Sequence, residues 1–498
     1  MLLALLLFAL LAAAPSGPGP NSSTSTGPAS DAYYDVIVVG SEPEGVAAAV
    51  AAAESGARTL LVSPDARVGG LFVLGQMNSL DLRTQPFNYQ QGLFERWWRS
   101  VGSGHAFDVA RAEAAFLSLL HGAGVELRLG SSGIEPVLEG ARVVGLRLGA
   151  EVLRAAHLID ATAEMDFGAE AGAGYSLGFA SLGLPARMAD TLVFRIEGVD
   201  WRALQRGVRA RGRGYATVDD TVAWGHFGGY PAAYAAREEG VRLRGLNLGL
   251  QEDGSLLVNA LLVYGVDPFD PSSVAAGVAR AEAEAPRIVA YLRAELPGFA
   301  GARFGGVAER LYVRETRHLD AECILRADDL LDNRVRPGDV AAGGYPLDVQ
   351  TLTPHDSGYV FGTPELYGVP LCVSVPRGLD GLWVVGKAAG YDPIAASSAR
   401  VVPLGMAVAE AVGVAAAQAA RLGVDPADFA ADADRLEALR GALRERGAYL
   451  PEPVARPPVG PYAHPAYRDY RLMLSRGLAV GGYGNDPRLD EPVSALSY

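Results

Sequence analysis

Two groups of residues in this 498-residue chain have the types and spacing to do chemistry. The first is Gly40-Ser41-Glu42-Pro43-Glu44-Gly45, set between a β-branched run at 35–39 and an alanine-rich segment that Gly56 stops, with a second apolar run at 58–62. Strand, glycine turn, helix and strand in this order form a dinucleotide-binding βαβ unit. The turn falls at the carboxyl end of the first strand, where the amides and dipole of the helix start suit a diphosphate. In a Gly-x-Gly-x-x-Gly turn the first glycine makes the bend, the second admits the pyrophosphate and the third packs helix on strand. Gly40 and Gly45 hold the outer places, but Glu42 holds the middle one. A carboxylate about 4 Å from a phosphate charge costs about 4 kcal/mol at an effective dielectric near 20, so Glu42 is expected to point to solvent. Glu44 reads as a solvated capping charge in the first helical turn. The ribose-binding carboxylate expected after the second run is replaced by Ser63-Pro64-Asp65, where Ser63 can accept one hydroxyl bond and Asp65 can reach back for another. Arg67 nearby would equally suit a 2′-phosphate, which keeps NADP open as the nucleotide.

The second group lies in a turn- and aromatic-rich stretch at 316–375: Arg317, His318, Tyr345, His355 and Tyr359, with Arg314 just before it. His and Tyr are proton carriers and Arg is a carboxylate clamp, so these residues form the candidate substrate cluster. Irregular segments of this kind inside compact proteins often line sites. HxxxH, HExxH, Gly-x-Ser-x-Gly and CxxC spacings are all missing, so no metal site, serine hydrolysis or dithiol chemistry is expected.

The elements that must position these residues follow from periodicity. Helices are expected at 91–101 and 109–122, and a strand at 125–129. Runs at 134–138, 142–148 and 151–154 form a small antiparallel meander, followed by a separate buried strand at 157–160. From about 190 the texture changes. Strand-like runs at 191–196, 242–248 and 256–263 and a helical pattern at 272–295, with Pro286 as a kink or boundary, suggest a mixed second domain over 191–315 inserted into the first. A buried strand at 382–385 and an alanine-rich helix at 403–422 close the first domain. The tail from 425 to 498 carries one helix near 432–446 and then extended proline-rich chain.

Composition bounds the function. A hydrophobic fraction of 49% and a charged fraction of 20% belong to a soluble globular protein, and a net charge of −14 argues against nucleic acid as partner. Of 43 basic residues only Lys387 is lysine, which singles it out. The two cysteines, Cys323 and Cys372, have no framework or zinc spacing and leave the compartment open. Residues 1–14 carry an apolar run of signal-peptide length but no basic n-region, and 15–32 are Pro/Ser/Gly/Thr-rich. Export to the periplasm or cell surface over a disordered tether is therefore expected, with a cytoplasmic location as the alternative. Residues 470–492, with RGLAVGGYGNDP at their core, weakly resemble the first part of an S-layer-homology motif. One incomplete copy supports at most a weak cell-envelope association.

Several separated stretches together resemble the FAD-dependent oxidoreductase family with a GGxPAG-type N-terminal loop. They are GSEPEGVAAAVAAAESG at 40–56, VGG at 68–70, LIDATAEMDFGAEAG at 158–172, VRETRHLDAECILRADDLL at 313–331, GGYPLDV at 343–349, YGVPLCVSVP at 367–376, GLWVVGKAAG at 381–390 and ARVVPLGMAVAEAVGVAAAQAA at 399–420. The resemblance spans about 33–424. It implies an α/β glutathione-reductase-like FAD/NAD(P)-binding domain, with a parallel sheet and β-meander formed by 33–190 and 316–424, and an inserted mixed α+β substrate domain. It also implies FAD as cofactor, a small organic substrate and an unnamed electron acceptor. By the same resemblance Gly69, Gly70 and the turn Asp160-Ala161-Thr162-Ala163, where the family carries Asp-Ala-Thr-Gly, join the cofactor set. Gly386 and Lys387 approach the flavin ring, where a cation would stabilise the reduced flavin. Lys387 could instead bind phosphate or pair with Asp392, and Arg400 is a similar candidate. Two other readings stay open: a redox-inactive surface or scaffold protein that keeps the fold, and an NADP-dependent reductase. The oligomeric state is not legible.

Overall fold

The computed structural model describes residues 33–80, 82, 86–212, 214–453, 463–485 and 489–490. The expected signal segment 1–14 and tether 15–32 lie outside them. The chain opens with strand β1 (Tyr33–Val39), helix α1 (Pro43–Glu54) and strand β2 (Thr59–Val62), the expected unit. Helix α2 (Val109–Ala123) is capped by the Asp108 side chain, which accepts from the Arg111 amide, and ends on left-handed Gly124. It leads to β3 (Glu126–Arg128) and the meander β4 (Ile134–Glu139), β5 (Arg142–Leu148) and β6 (Glu151–Asp160).

The meander differs from expectation in one respect. The strands expected at 151–154 and 157–160 are one ten-residue strand, because Ala155 and Ala156 between them offer no turn chemistry. The first half of β6 pairs antiparallel with β5 through Gly145–Leu148, while the length from Arg154 to Asp160 pairs parallel with β1. Its last three residues also pair parallel with β7 (Leu382–Val384). The register brings Val39, Val62, Asp160 and Val384 into one row, so four parallel strands end along a single edge of the sheet. Ligands of open α/β sheets bind at such an edge.

In the second domain each of the three expected strand runs splits in two, and the halves join different sheets. Asp190–Thr191, Val241–Leu243 and Leu261–Val263 form a three-stranded sheet. Phe194–Glu197, Leu246–Leu250 and Leu256–Val258 join Thr217–Val218, Val222–Gly225 and Arg303–Val307 in a six-stranded one. Short corners at 192–193, 244–245 and 259–260 let a strand leave one sheet for the other. Helix α3 (Pro271–Glu295) runs through Pro286 without ending there. Phe194, Leu248, Leu256 and Ile288 belong to a core separate from that of the first domain.

Helix α4 (Val402–Leu422) is long and apolar enough to cross a membrane, but it is packed into the first core against α1. Alanine-rich faces permit this close approach: a Cβ on Gly413 would overlap the Ala48 carbonyl. Two expectations are corrected elsewhere. Cys323 and Cys372, 49 residues apart in sequence, form a disulfide, a pairing their spacing alone did not reveal. In the tail expected to be extended, Tyr467–Leu474 is helical and Asn485 exchanges hydrogen bonds with Thr363 at 2.6 and 2.8 Å, while the proline-rich stretch at 454–462 lies outside the described residues.

Candidate active site

The site is built on the row of strand ends. Gly40 has φ +104°, and a Cβ there would overlap the Ala161 carbonyl, while one on Gly45 would overlap the Gly40 carbonyl. Both outer glycines are therefore set by the close passage of the loop over the end of β6. Pro43 occupies the first turn of α1, and no side chain caps the helix. Its N-cap residue Glu42 turns its carboxylate away from the helix. One Glu42 oxygen accepts from the Leu71 amide at 2.8 Å and the other pairs with Arg310. The Glu42 side chain is 13% exposed, so it does not point to solvent as expected. Gly69, with φ +94°, and Gly70 start the short helix Gly70–Val73, and a Cβ on Gly70 would overlap the Glu42 carboxylate. In this loop the second glycine pair makes room for the acid that replaces the middle glycine of the first.

Arg310 also donates to Asp65 at 3.1 Å, so one guanidinium holds both carboxylates. Asp65, beyond Pro64, lines the cleft. Ser63 is fully buried, its Oγ 2.9 Å from that of Ser41 and accepting from the Asp65 amide at 3.1 Å. Ser63 thus braces Ser41 and Asp65, and Asp65 lines the larger cavity beside it. Arg67 is bound to Glu113 at 2.7 Å and Glu309 at 2.6 Å, which removes the cation that a 2′-phosphate would need.

Two cavities, of about 260 and 220 Å³, lie on either side of the Glu42–Arg310 pair and share Ala161, Thr162 and Ala163 as well. The 161–163 turn is held by Asp160, which accepts from the Thr162 amide at 2.8 Å, the Thr162 hydroxyl at 2.7 Å and the Gly168 amide at 2.6 Å. Ser63, Pro64 and Asp65 line the larger cavity. Glu44, Glu164, Tyr312, Gly386, Lys387 and Arg400 line the smaller one. Lys387 follows Gly386, whose φ is +86°, and donates to Glu164 at 2.8 Å and to the Val313 carbonyl at 2.6 Å. It does not pair with Asp392, which caps the helix Pro393–Ala399 through the Ala395 amide. Arg400 donates to the Tyr312 hydroxyl at 2.8 Å. Arg314 is buried over the Tyr312 ring, 4.3 Å from its centroid, and burial lowers its pKa to about 10.

The expected substrate cluster does not assemble. Arg317 bonds Asp166 at 2.7 Å and stacks over Phe269 at 4.1 Å, outside the cavity lining. His318 is buried against Glu315 at 2.9 Å. His355 and Tyr359 are exposed, and Tyr345 lines a different cavity. Neighbours along an irregular segment need not meet in space, because no strand or helix fixes their faces. Three residues absent from the sequence reading of the site, Glu164, Arg310 and Tyr312, do meet there. Glu164 directly follows the Asp160–Ala163 turn, which was its one sequence signal.

Glu44 is also corrected: it is buried, not solvated. A Cβ on Gly405 in the first turns of α4 would overlap its carboxyl. Burial raises its pKa from 4.5 to about 8; Glu42 adds to the rise, and its own amide and Lys387 oppose it. The unfolded chain releases this proton near pH 4.5 and the folded chain only near 8, so between those values the folded state holds the extra proton. Stability therefore falls as pH rises through that window and levels off above it. Urea titrations of Glu44→Gln should show a flatter dependence of unfolding free energy on pH from about 4.5 to 8 than the natural protein.

No curated protein matches the chain in sequence. Among solved structures it is similar to the myxobacterial FAD-dependent chondrochloren halogenase CndH, at 15% identity over 93% of this chain and 92% of that one, TM-score 0.42. It is likewise similar to p-nitrophenol 4-monooxygenase PnpA of Pseudomonas putida, at 12% over 90% and 94%, TM-score 0.40. A geranylgeranyl bacteriochlorophyll reductase-like protein of Thermoplasma acidophilum is similar at 15% over 83% and 84%, TM-score 0.40. Residues 35–443 match the model of one family, and the chain belongs to it: the FAD-dependent oxidoreductases, flavin redox enzymes with an α/β Rossmann-like FAD-binding fold.

Proposed function

We propose that the double cavity at the strand ends holds FAD in a glutathione-reductase-like arrangement, and that the chain oxidises or reduces a small organic substrate. The observation that carries this is the alignment of four parallel strand ends beneath an uncapped helix start, with the local carboxylates held by Arg310. Bound FAD supplies two-electron transfer with the substrate. The dipole of α1 and the Arg310 guanidinium bind the diphosphate. Asp65 accepts from the ribose hydroxyls, and Gly40, Gly45 and the 161–163 turn shape the passage between the cavities. Lys387 holds a positive charge at the far end, 2.8 Å from Glu164, and Arg400 with Tyr312 closes that wall. Glu44, neutral near pH 7, adds no second negative charge beside the phosphates. Arg67, the cation the sequence offered for the 2′-phosphate of NADP, is paired with Glu113 and Glu309 outside the cavity lining.

The proposal includes export. It is supported by the apolar run at 2–14 and by the Cys323–Cys372 disulfide, a bond that persists in oxidising compartments.

The purified protein should be yellow, with visible flavin bands that bleach on adding dithionite. A colourless protein that takes up no FAD on reconstitution would overturn the reading. Replacing Lys387 with Met removes the cation and leaves the Glu164 carboxylate with the Thr316 hydroxyl but no counter-charge from Lys387, so the midpoint potential of the bound flavin should fall by about 30 mV or more, a tenfold change in the two-electron equilibrium. Spectroelectrochemical titration measures it, and Lys387→Arg should retain most of the natural value.

A further inference from the structure

We propose that a third cavity, separate from the cleft, binds a flat, uncharged hydroxylated ring compound, and that His105, oriented by Asp219, is the catalytic base that takes its hydroxyl proton. This cavity, of about 360 Å³, lies between loops of the first domain and the six-stranded sheet of the second. Its lining includes Ser79, His105, Val222, Trp224, Asn247 and Tyr345. Trp224 and Asn247 face each other across adjacent strands. The Tyr345 carbonyl accepts from Ser398 at 2.6 Å, two residues before Arg400, which lines the smaller cavity of the cleft.

The chemistry of the lining selects the ligand. Indole and phenol rings with Val222 suit a flat apolar body. Ser79 and Asn247 offer polar contacts at the edge. Among the described lining residues no Arg or Lys is present, in contrast to the cleft with its Arg310, Lys387 and Arg400, so those residues suit an uncharged ring better than a carboxylate or a phosphate.

The dyad is built to move a proton. His105 Nδ1 lies 2.8 Å from Asp219 Oδ2, while Asp219 Oδ1 accepts from the Thr221 and Val222 amides at 2.7 and 2.8 Å. The carboxylate is therefore fixed at the strand turn, and it fixes the imidazole proton on Nδ1, leaving Nε2 as the acceptor. The backbone of His105 is also anchored, its carbonyl accepting from the Leu80 amide at 2.8 Å. Asp219 is the charged group facing the ring. The adjacent Asp220 is engaged by Gln205 at 3.4 Å, and the Trp224 ring stands 6.2 Å from the imidazole. The step is a proton transfer alone: the substrate O–H bond breaks, its electron pair stays on oxygen, and the proton goes to Nε2, giving an imidazolium stabilised by Asp219. Binding and ionisation in this cavity do not rest on the flavin function proposed above.

The test uses the flavin-loaded protein with 2-naphthol and naphthalene as probes, followed by difference absorption, with flavin absorbance recorded in the same sample. At pH 8 2-naphthol should bind at least tenfold more tightly than naphthalene and show the naphtholate band. His105→Gln should abolish that band and the preference while leaving naphthalene affinity and the flavin spectrum unchanged, and Asp219→Asn should move ionisation of the bound probe to higher pH. Equal affinities, naphthol bound un-ionised by the natural protein, a naphtholate band that survives in His105→Gln, or binding of neither probe would each overturn the proposal. Missing flavin bands would count against the flavin reading instead.

Discussion

The constraint on which the rest of the site depends is the placement of carboxylates at the positive end of a helix meant for phosphate. Glu42 occupies the middle glycine position of the loop, and Asp65 stands three residues past the end of β2. Unpaired, each would oppose a diphosphate by several kcal/mol at the dielectric of a partly buried site. Arg310 holds both, and it comes 268 residues after Glu42 in the chain. The nucleotide loop of the first domain is thus completed by a residue from the end of the second domain. Gly70 makes the arrangement sterically feasible, since the Glu42 carboxylate lies where its side chain would be.

Around that interaction the fold supplies position. The ten-residue β6 ties three neighbours into one sheet and ends level with β1 and β7. The alanine and glycine faces of α1 and α4 let the two helix starts converge, with Glu44 between them. A buried neutral carboxyl is the compatible state there, because an anion would add to Glu42 and Asp65. At the opposite end Lys387 and Glu164 form a balanced pair. Charge in the cleft is therefore graded, from acids shared by one arginine at one end to a lysine, an arginine and a tyrosine at the other.

Much of the framework was legible in the sequence, and the reason is local. The βαβ unit, the meander, the closing helix and the outer glycines rest on periodicity and turn chemistry that neighbouring residues determine. What failed depended on distant partners. Glu42 reads as solvent-facing until Arg310 is known, and of the alternatives left open for Lys387 the pairing with Asp392 gives way to one with Glu164, beside the 161–163 turn. The bond between Ser63 and Ser41 is likewise invisible until the loop is seen folded over the end of β2. His355, Tyr345 and Arg317 share an irregular segment but no common face. His105 and Asp219 belong to no motif, and only the docking of one domain on the other brings them within 2.8 Å.

The account stands or falls on the energetic coupling of Glu42 to Arg310, and a double-mutant cycle on FAD affinity measures it. Dissociation constants would be determined by flavin fluorescence for the natural protein, Glu42→Gly, Arg310→Met and the double variant. The account predicts that Arg310→Met weakens binding by about 100-fold, that Glu42→Gly alone changes it little, and that the double variant recovers to within about tenfold of the natural affinity, a coupling of at least about 1.4 kcal/mol. An Arg310→Met protein that binds FAD normally, or effects that simply add, would contradict it.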